Sequence, residues 1–367
     1  MKNKQTKILC ASFASHKKNN NSIVPLVPVK LCPNSDTCKA QILSENTNKL
    51  DIHPSFSTIL KDNTTILNPH WISGFADGEC TFHVSIYKNN KYKTGWSVIP
   101  GFSIGLAIKD LPLLYQIKSY FETGIIVINE KNGSAFYSVK SIKDLINIII
   151  PHFDRYPLIT RKWIDYELFK LALKLINKKE HLTIEGLKNL VAIRASMNKG
   201  LSDELKVAFS LGEKEILPVD RPIIKTLEPK NINPNWIVGF TDAEACFFID
   251  IFKSKTHKLG SQVKLSFSIA QHIRDIELMK SLIEHLECGY LVDRLDKESC
   301  EYRVVSFNNI TEIIIPFFLK YPLQSSKLLD FEDFLKISFL MKDKAHLTFE
   351  GLNKIKLIKA GMNRGRY

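Results

Sequence analysis

Apolar and polar positions run through the same series of periods twice along this chain. A mostly apolar stretch with small residues interleaved (Ser73, Gly74, Ala76) ends at Glu79. Asn68-Pro69 before it reads as a helix start, an Asn N-cap followed by Pro at the first helical position. Alternating segments at 82–87 and 96–107 predict two strands, with Gly95 closing the turn between them. An amphipathic helix is expected from Lys109-Asp110 to Phe121, then short strands at 125–129 and 136–139. Three helices at about 141–150, 161–176 and 183–198 close the unit. The second pass predicts a helix from Asn233-Pro234 to Glu244, strands at 247–252 and 262–270, and a helix from Arg274-Asp275 to Leu286. Strands at 290–294 and 301–305 follow, then helices at about 309–318, 326–341 and 348–363. Each unit reads α-β-β-α-β-β-α with extra helices, an α+β class fold.

The two passes keep one register, an offset of 165. Trp71-Ile72-Ser73-Gly74-Phe75-Ala76-Asp77-Gly78-Glu79 answers Trp236-Ile237-Val238-Gly239-Phe240-Thr241-Asp242-Ala243-Glu244. Ile148-Ile149-Ile150-Pro151 answers Ile313-Ile314-Ile315-Pro316. His181 to Gly200 matches His346 to Gly365 at 11 of 20 positions. A tandem duplication without net slippage implies two pseudo-symmetric units, the covalent counterpart of a two-fold dimer. The expected division is an N-terminal extension over 1–67, a first unit over 68–200, a linker over 201–232 and a second unit over 233–367. The linker holds Pro218, Pro222, Pro229 and mixed charges, and is read as wrapping the surface. A self-paired scaffold is expected to work as a monomer.

A net charge of +13 favours a polyanionic partner. No stretch approaches the ~18 uninterrupted apolar residues of a membrane span, so no membrane partner is expected. The seven cysteines are scattered without a CxxC pair, which indicates neither a zinc site nor a disulfide framework. The extension carries Lys2, Lys4, Lys7, Lys17, Lys18 and Lys30 before its first acid, Asp36. A mitochondrial presequence and a remnant of an upstream reading frame both fit it; the lack of Arg counts against the former. Abundant Lys, Ile and Asn agree with an AT-rich genome, as organelles often have.

The duplicated acid carries the chemistry. A carboxylate at a helix C-terminus sits at the negative end of the dipole, which opposes it by about 0.3–1 kcal/mol. The small residues let two such helices approach closely, so the two copies are expected to pack together at the pseudo-dyad, with Glu79 and Glu244 side by side. That placement becomes sensible with a divalent cation bound, Mg²⁺ or Mn²⁺, which prefers oxygen ligands. Paired metals activate water and stabilise the leaving oxygen of a phosphodiester. Asp77-Gly78 could also be plain helix-ending punctuation, and Asp77 and Asp242 are read as structural acids capping backbone groups. Duplicated acids on a two-fold scaffold point to duplex DNA.

These residues resemble the LAGLIDADG homing endonucleases of the single-chain, two-motif type. The match lies in the motif Gly, the large apolar residue after it, the Asp two before the end and the terminal acid. Gln271-His272-Ile273-Arg274-Asp275, Cys288-Gly289-Tyr290, the segment from Asp330 to Phe334 and the C-terminal HLT…MNRGR are similar to the fungal mitochondrial group typified by I-OnuI. The resemblance implies an intron-encoded enzyme that makes a double-strand break in a long asymmetric DNA target. Glu79 and Glu244 would bind metal and each serve one strand, helped by the carbonyls of Gly78 and Ala243. An antiparallel sheet in each unit would lie in the major groove. Counting by twos from each acid then gives DNA-facing positions: Thr81, His83, Ser85, Tyr87 and Asn89, and Cys246, Phe248, Asp250, Phe252 and Ser254. The turn lysines Lys88, Lys91, Lys93, Lys253, Lys255 and Lys258 suit phosphates, a solvated turn being the alternative for any one. Lys264 best matches the basic side chain that family members place beside the metals, and Arg294 is expected to touch DNA. Lys162 and Lys327 precede Asp165 and Asp330 by three and are read first as helix-face ion pairs. The alternative within the family is an intron RNA maturase, with host intron RNA as partner.

Overall fold

The computed structural model describes residues 66–210, 217–223 and 232–366. Residues Leu67–Tyr367 form one compact unit; the N-terminal extension expected from the sequence lies almost wholly outside the described residues. Each half begins with a motif helix, α1 (Pro69–Glu79) or α8 (Pro234–Glu244). The caps are those the sequence predicts: Asn68 Oδ1 accepts from His70 N, and Asn233 Oδ1 from Asn235 N, both at 2.9 Å.

In the first half, β1 (Cys80–Lys88) starts directly after Glu79 and pairs with β2 (Trp96–Ala107). Then come α2 (Leu111–Phe121), β3 (Ile125–Asn129) and β4 (Ser134–Val139). The antiparallel sheet has the order β1-β2-β4-β3. The second half repeats it with β5 (Ala245–Lys253), β6 (Ser261–His272), α9 (Ile276–Leu286), β7 (Tyr290–Arg294) and β8 (Ser299–Val304), in the order β5-β6-β8-β7. Helices α3 (Ile142–Asp144), α4 (Ile150–Arg155), α5 (Lys162–Asn177) and α6 (Ile184–Ser196) close the first half. Their equivalents are α10 (Phe307–Asn309), α11 (Ile315–Lys320), α12 (Lys327–Lys342) and α13 (Phe349–Ala360).

Alternation decides which sheet face is inside. Phe82 and Phe247 point inward and meet equivalent aromatic sets, Phe102, Phe153, Tyr166 and Phe169 in one half and Phe267, Phe318, Phe331 and Phe334 in the other. Asn198 and Asn363, both at positive φ, tie the chain after the last helix to this core. Each donates from Nδ2 to the carbonyl of Phe82 or Phe247 and from its backbone N–H to Asp165 or Asp330. Asn tolerates this left-handed conformation better than most residues.

One expectation needs correction. The helix expected to end near 150 runs on to Arg155, because the chain passes Pro151 through a π turn over Leu145–Ile149. Proline lacks the N–H and crowds the preceding carbonyl turn, and the wider turn relieves both; Pro316 and Ile310–Ile314 repeat the device. Within the connector, α7 spans Asp203–Ser210, and Ser196 Oγ donates to the Val219 carbonyl.

Candidate active site

The two motif helices cross at their glycines. A Cβ on Gly74 would lie 2.0 Å from the Trp236 carbonyl oxygen, and one on Gly239 would lie 2.0 Å from that of Trp71. Only residues without a side chain allow this approach. Around the crossing, polar bonds are exchanged between halves. Trp71 Nε1 donates to Asp242 Oδ2 and Trp236 Nε1 to Asp77 Oδ2, each at 2.8 Å. The indoles are held in place by stacking on Phe75 and Phe240. Asp77 also accepts from the backbone N–H groups of Ile159 and Thr160, and Asp242 from those of Gln324 and Ser325. Both aspartates are buried and spent on structure, as the sequence suggested; burial raises the pKa of Asp77 to about 6.

The crossing brings Glu79 and Glu244 together at the neighbouring ends of α1 and α8. A Cβ on Gly78 would sit 2.3 Å from the Ala243 methyl and 3.1 Å from Glu244 Cγ, so this side of the pair requires glycine where the other carries alanine. Burial, then the charge of Glu244, raises the Glu79 pKa to about 7. Burial likewise raises that of Glu244. The residues after the acids, Cys80 and Ala245, are buried and adopt extended φ of −84°, a conformation open to any L-residue.

Lys162 and Lys327 do not form the helix-face pairs expected of them. Lys162 Nζ donates to the carbonyls of Ala76 and Gly78, both at 2.9 Å. Lys327 Nζ donates to Thr241 at 2.9 Å and Ala245 at 2.5 Å. Each ammonium therefore caps the open carbonyls of a motif helix, where positive charge is favoured. Both pull the carboxyl pKa values down against burial. The halves differ here, since Lys162 takes the carbonyl before the acid and Lys327 the one after it. Asp165 and Asp330 instead hold Arg221 and Arg366.

The predicted outward positions on β1 and β5 follow the alternation of the strands, whereas Asn89 and Ser254 lie just past the strand ends. Thr81, Ser85, Tyr87, Phe248 and Phe252 are exposed, while His83, Asn89, Cys246, Asp250 and Ser254 are half-buried. All six turn lysines are exposed. Lys264 shares this outer face, opposite Asp250. It is not brought to the acids: Ala245 pairs with Ile269, five residues further along β6, or roughly 17 Å at the rise of a strand. On β6, Gln271 lies close enough to Glu244 to lower its pKa against burial. Arg294 lies on the same face and pairs at 3.2 Å with Glu301, which also binds Arg303. On the equivalent strands the first half exposes Ile125, Val127 and Phe136, and has Asn129 and Ser138 where the second has Arg294 and Arg303. Sequence reasoning thus missed Gln271, whose counterpart is Leu106, and the capping role of both lysines.

The donor set fits a hard divalent cation in part. Two recessed carboxylates and nearby backbone carbonyls are oxygen ligands, but no cluster of three His, Cys, Asp or Glu that could hold a metal occurs among the described residues. The remaining ligands would be water and substrate phosphate, the usual arrangement for Mg²⁺.

Two pseudo-symmetric α+β halves, joined through a helix pair that ends in two acids, define a single-chain duplicated nuclease-like scaffold. The profile of the LAGLIDADG endonuclease family matches residues 72–173 and 237–338, and the chain belongs to that family. Among curated relatives, probable intron-encoded endonucleases 2 and 3 of Neurospora crassa are 42% and 40% identical over 79% and 84% of this chain. The chain spans 64% and 57% of their own lengths. I-SmaMI bound to an uncleaved DNA target with calcium ions is similar at a TM-score of 0.77 and 44% identity, over 81% of this chain and 99% of that one. The I-LtrWI homing endonuclease bound to target DNA gives 0.77 and 41%, over 82% and 98%.

Proposed function

We propose that this protein is a site-specific homing endonuclease that makes a divalent-metal-dependent double-strand break in a long asymmetric DNA site. The observation that carries the reading is the pair Glu79 and Glu244, held together by the glycine crossing and left without a structural partner set of the kind Asp77 and Asp242 have. The metal, Mg²⁺ or Mn²⁺, would be held by Glu79 and Glu244, with the carbonyl of Ala243 available to assist and that of Gly78 shared with the Lys162 ammonium. It would supply an activated water and charge stabilisation at the scissile phosphate. The lysine caps lower the cost of ionising both acids, and Gln271 does so for Glu244.

The outer sheet faces would read the major groove. Thr81, His83, Ser85, Tyr87 and Asn89 serve one half-site, and Cys246, Phe248, Asp250, Phe252, Ser254, Lys264 and Arg294 the other. The apolar Ile125, Val127 and Phe136 suit thymine methyls, whereas Arg294 and Arg303 suit guanine, which supports an asymmetric target. Calcium and DNA in the I-SmaMI structure agree with this reading. Relatives described as intron-encoded, one of them from an ND4 intron of Podospora anserina, support an origin in a mitochondrial genome. The I-OnuI-like grouping, the monomeric state and the division at 1–67, 68–200, 201–232 and 233–367 belong to the same proposal. Among the described residues no helix is long and apolar enough to cross a membrane.

The test is incubation of purified protein with the intron-free form of its host gene, with Mg²⁺ and then with EDTA. One Mg²⁺-dependent double-strand cut is expected. Tight binding without a cut would favour the maturase, which splicing rescue by a protein lacking both acids would establish.

A further inference from the structure

The start of α5 and the start of α12 share an unusual pattern of bonding. Four successive backbone N–H groups before and at the head of α5 are all satisfied by side chains. Ile159 and Thr160 donate to Asp77 of their own motif helix, and Lys162 donates to Thr160 Oγ1. The remaining one, on Arg161, donates at 2.7 Å to Asp275, which belongs to the other half. The second half repeats the arrangement. Gln324 and Ser325 donate to Asp242, and Lys327 to Ser325 Oγ. Ser326 N donates at 2.7 Å to Asp110, again from the other half. Asp110 and Asp275 each end the strand-to-helix turn after the second strand of a sheet.

The residue next to each of these cross-bonds is the lysine that caps a motif helix. Asp275 fixes Arg161, and Lys162 follows; its ammonium holds the carbonyls beside Glu79. Asp110 fixes Ser326, and Lys327 follows; its ammonium holds the carbonyls of Thr241 and Ala245 at the helix end that carries Glu244. A carboxylate at a helix N-terminus is a favourable partner for its free N–H groups. Removing it frees the first turn, and the lysine moves with that turn.

We propose that Asp110 and Asp275 are positioning residues wired across the halves: each sets the lysine, and through it the helix end and catalytic acid, of the other half. The sheet of one half thereby reports to the acid of its neighbour. Seating of either sheet on DNA bears on the opposite cut, and the two cuts are coupled through the protein rather than only through the shared substrate. This rests on the nuclease reading for its kinetic consequence but not for its structural one.

The experiment therefore has two arms, on Asp110→Ala, Asp275→Ala and the acceptor-retaining Asp110→Asn and Asp275→Asn, in the full chain. In the first arm, free protein is acetylated and each lysine is followed by mass spectrometry. Asp110→Ala should raise the labelling rate of Lys327 several-fold and leave Lys162 unchanged; Asp275→Ala should do the reverse; both Asn variants should match wild type. Equal change at both lysines, or none, overturns the wiring. In the second arm, end-labelled target DNA is cut with Mg²⁺ and each strand is followed. The two Ala variants should slow opposite strands, by up to about a hundredfold for a misplacement of about 1 Å at the reacting centre. A general structural role would slow both strands alike. The charge of Asp110 also raises the Glu79 pKa; losing it would ease ionisation of Glu79 equally in Asp110→Ala and Asp110→Asn, so wild-type behaviour of the Asn variant excludes that direct field. If an Ala variant does not fold, Ser replaces it, its hydroxyl too short to span the same gap. If wild type cuts nothing, the nuclease reading fails while the labelling arm still decides the wiring.

Discussion

Trp71 and Asp242 are 171 positions apart in the chain, yet the indole Nε1 of one donates to the carboxylate of the other at 2.8 Å. Trp236 and Asp77 form the mirror bond at the same length. Each aspartate thus ties its own helix, the loop before the lysine helix and the opposite half into one joint. The two acids that follow by two residues inherit their position from it. A hydrogen bond to a charged acceptor contributes about 1.5–3 kcal/mol. Trp71→Phe and Trp236→Phe should each lower the unfolding free energy by roughly that amount, and by similar amounts to one another given the symmetry. Urea denaturation measures both; an unchanged midpoint in either would contradict the joint.

Gly74→Ala and Gly239→Ala set a gain against a clash. Alanine improves helix propensity by about 0.5–1 kcal/mol, but each new methyl would lie 2.0 Å from a backbone oxygen of the facing helix. Overpacking of this kind costs about 1–3 kcal/mol or more, and the obstacle is backbone rather than a side chain that can turn away. Net destabilisation is expected from thermal melts, with loss of cleavage before loss of fold. Gly133→Ala is the control: nothing lies within 4 Å, but φ is +60°, so only its modest backbone strain should register.

The raised pKa of Glu79 makes a pH prediction whose sign is fixed. Burial, reinforced by Glu244, lifts this acid from 4.5 to about 7. The folded state therefore holds the proton more tightly than the unfolded state. The resulting stability is fully present below about pH 4.5 and is lost as pH rises through 7. Metal-free protein should melt lower at pH 8 than at pH 6. Glu79→Gln should raise the melting temperature at pH 8 and have little effect near pH 4.5. Differential scanning fluorimetry across that range decides it, and a melting temperature that rises from pH 6 to 8 in wild type but not in Glu79→Gln would contradict it.

Lys264 and Gln271 sit on one strand but should behave differently. Lys264→Ala should weaken DNA binding and leave the cutting rate of bound DNA within about threefold, since the lysine lies roughly 17 Å from the acid at strand spacing. Gln271→Ala removes a side chain that lowers the Glu244 pKa and should slow cutting with little effect on affinity. Single-turnover kinetics at saturating protein separate the two.

Legibility in the sequence followed the range of each interaction. The offset of 165 made the duplication, the glycine crossing and the paired acids readable, because a repeated residue is visible without knowing what it touches. Strand alternation gave the outer faces for the same reason. Lys162 was misread because Asp165 stands three residues away on the same helix, and its real partners are backbone carbonyls more than 80 positions earlier. Backbone acceptors leave no mark in a sequence. Lys264 was displaced by register: the hairpin pairing of Ala245 with Ile269, not the charge of the side chain, decides which residue of β6 meets Glu244. Asp110 and Asp275 carried the repeat signal but lay in turns whose partner is the other half.

Glu79 and Glu244 together are proposed to form one metal-dependent phosphodiesterase centre. This is tested most directly by cutting a plasmid that carries the target with wild type, Glu79→Gln, Glu244→Gln and the double variant, each with Mg²⁺ and with EDTA. Linear product is expected from wild type with Mg²⁺ alone, and none from any variant while DNA binding and fold are retained. Linearisation by the double variant, or by wild type in EDTA, would contradict it.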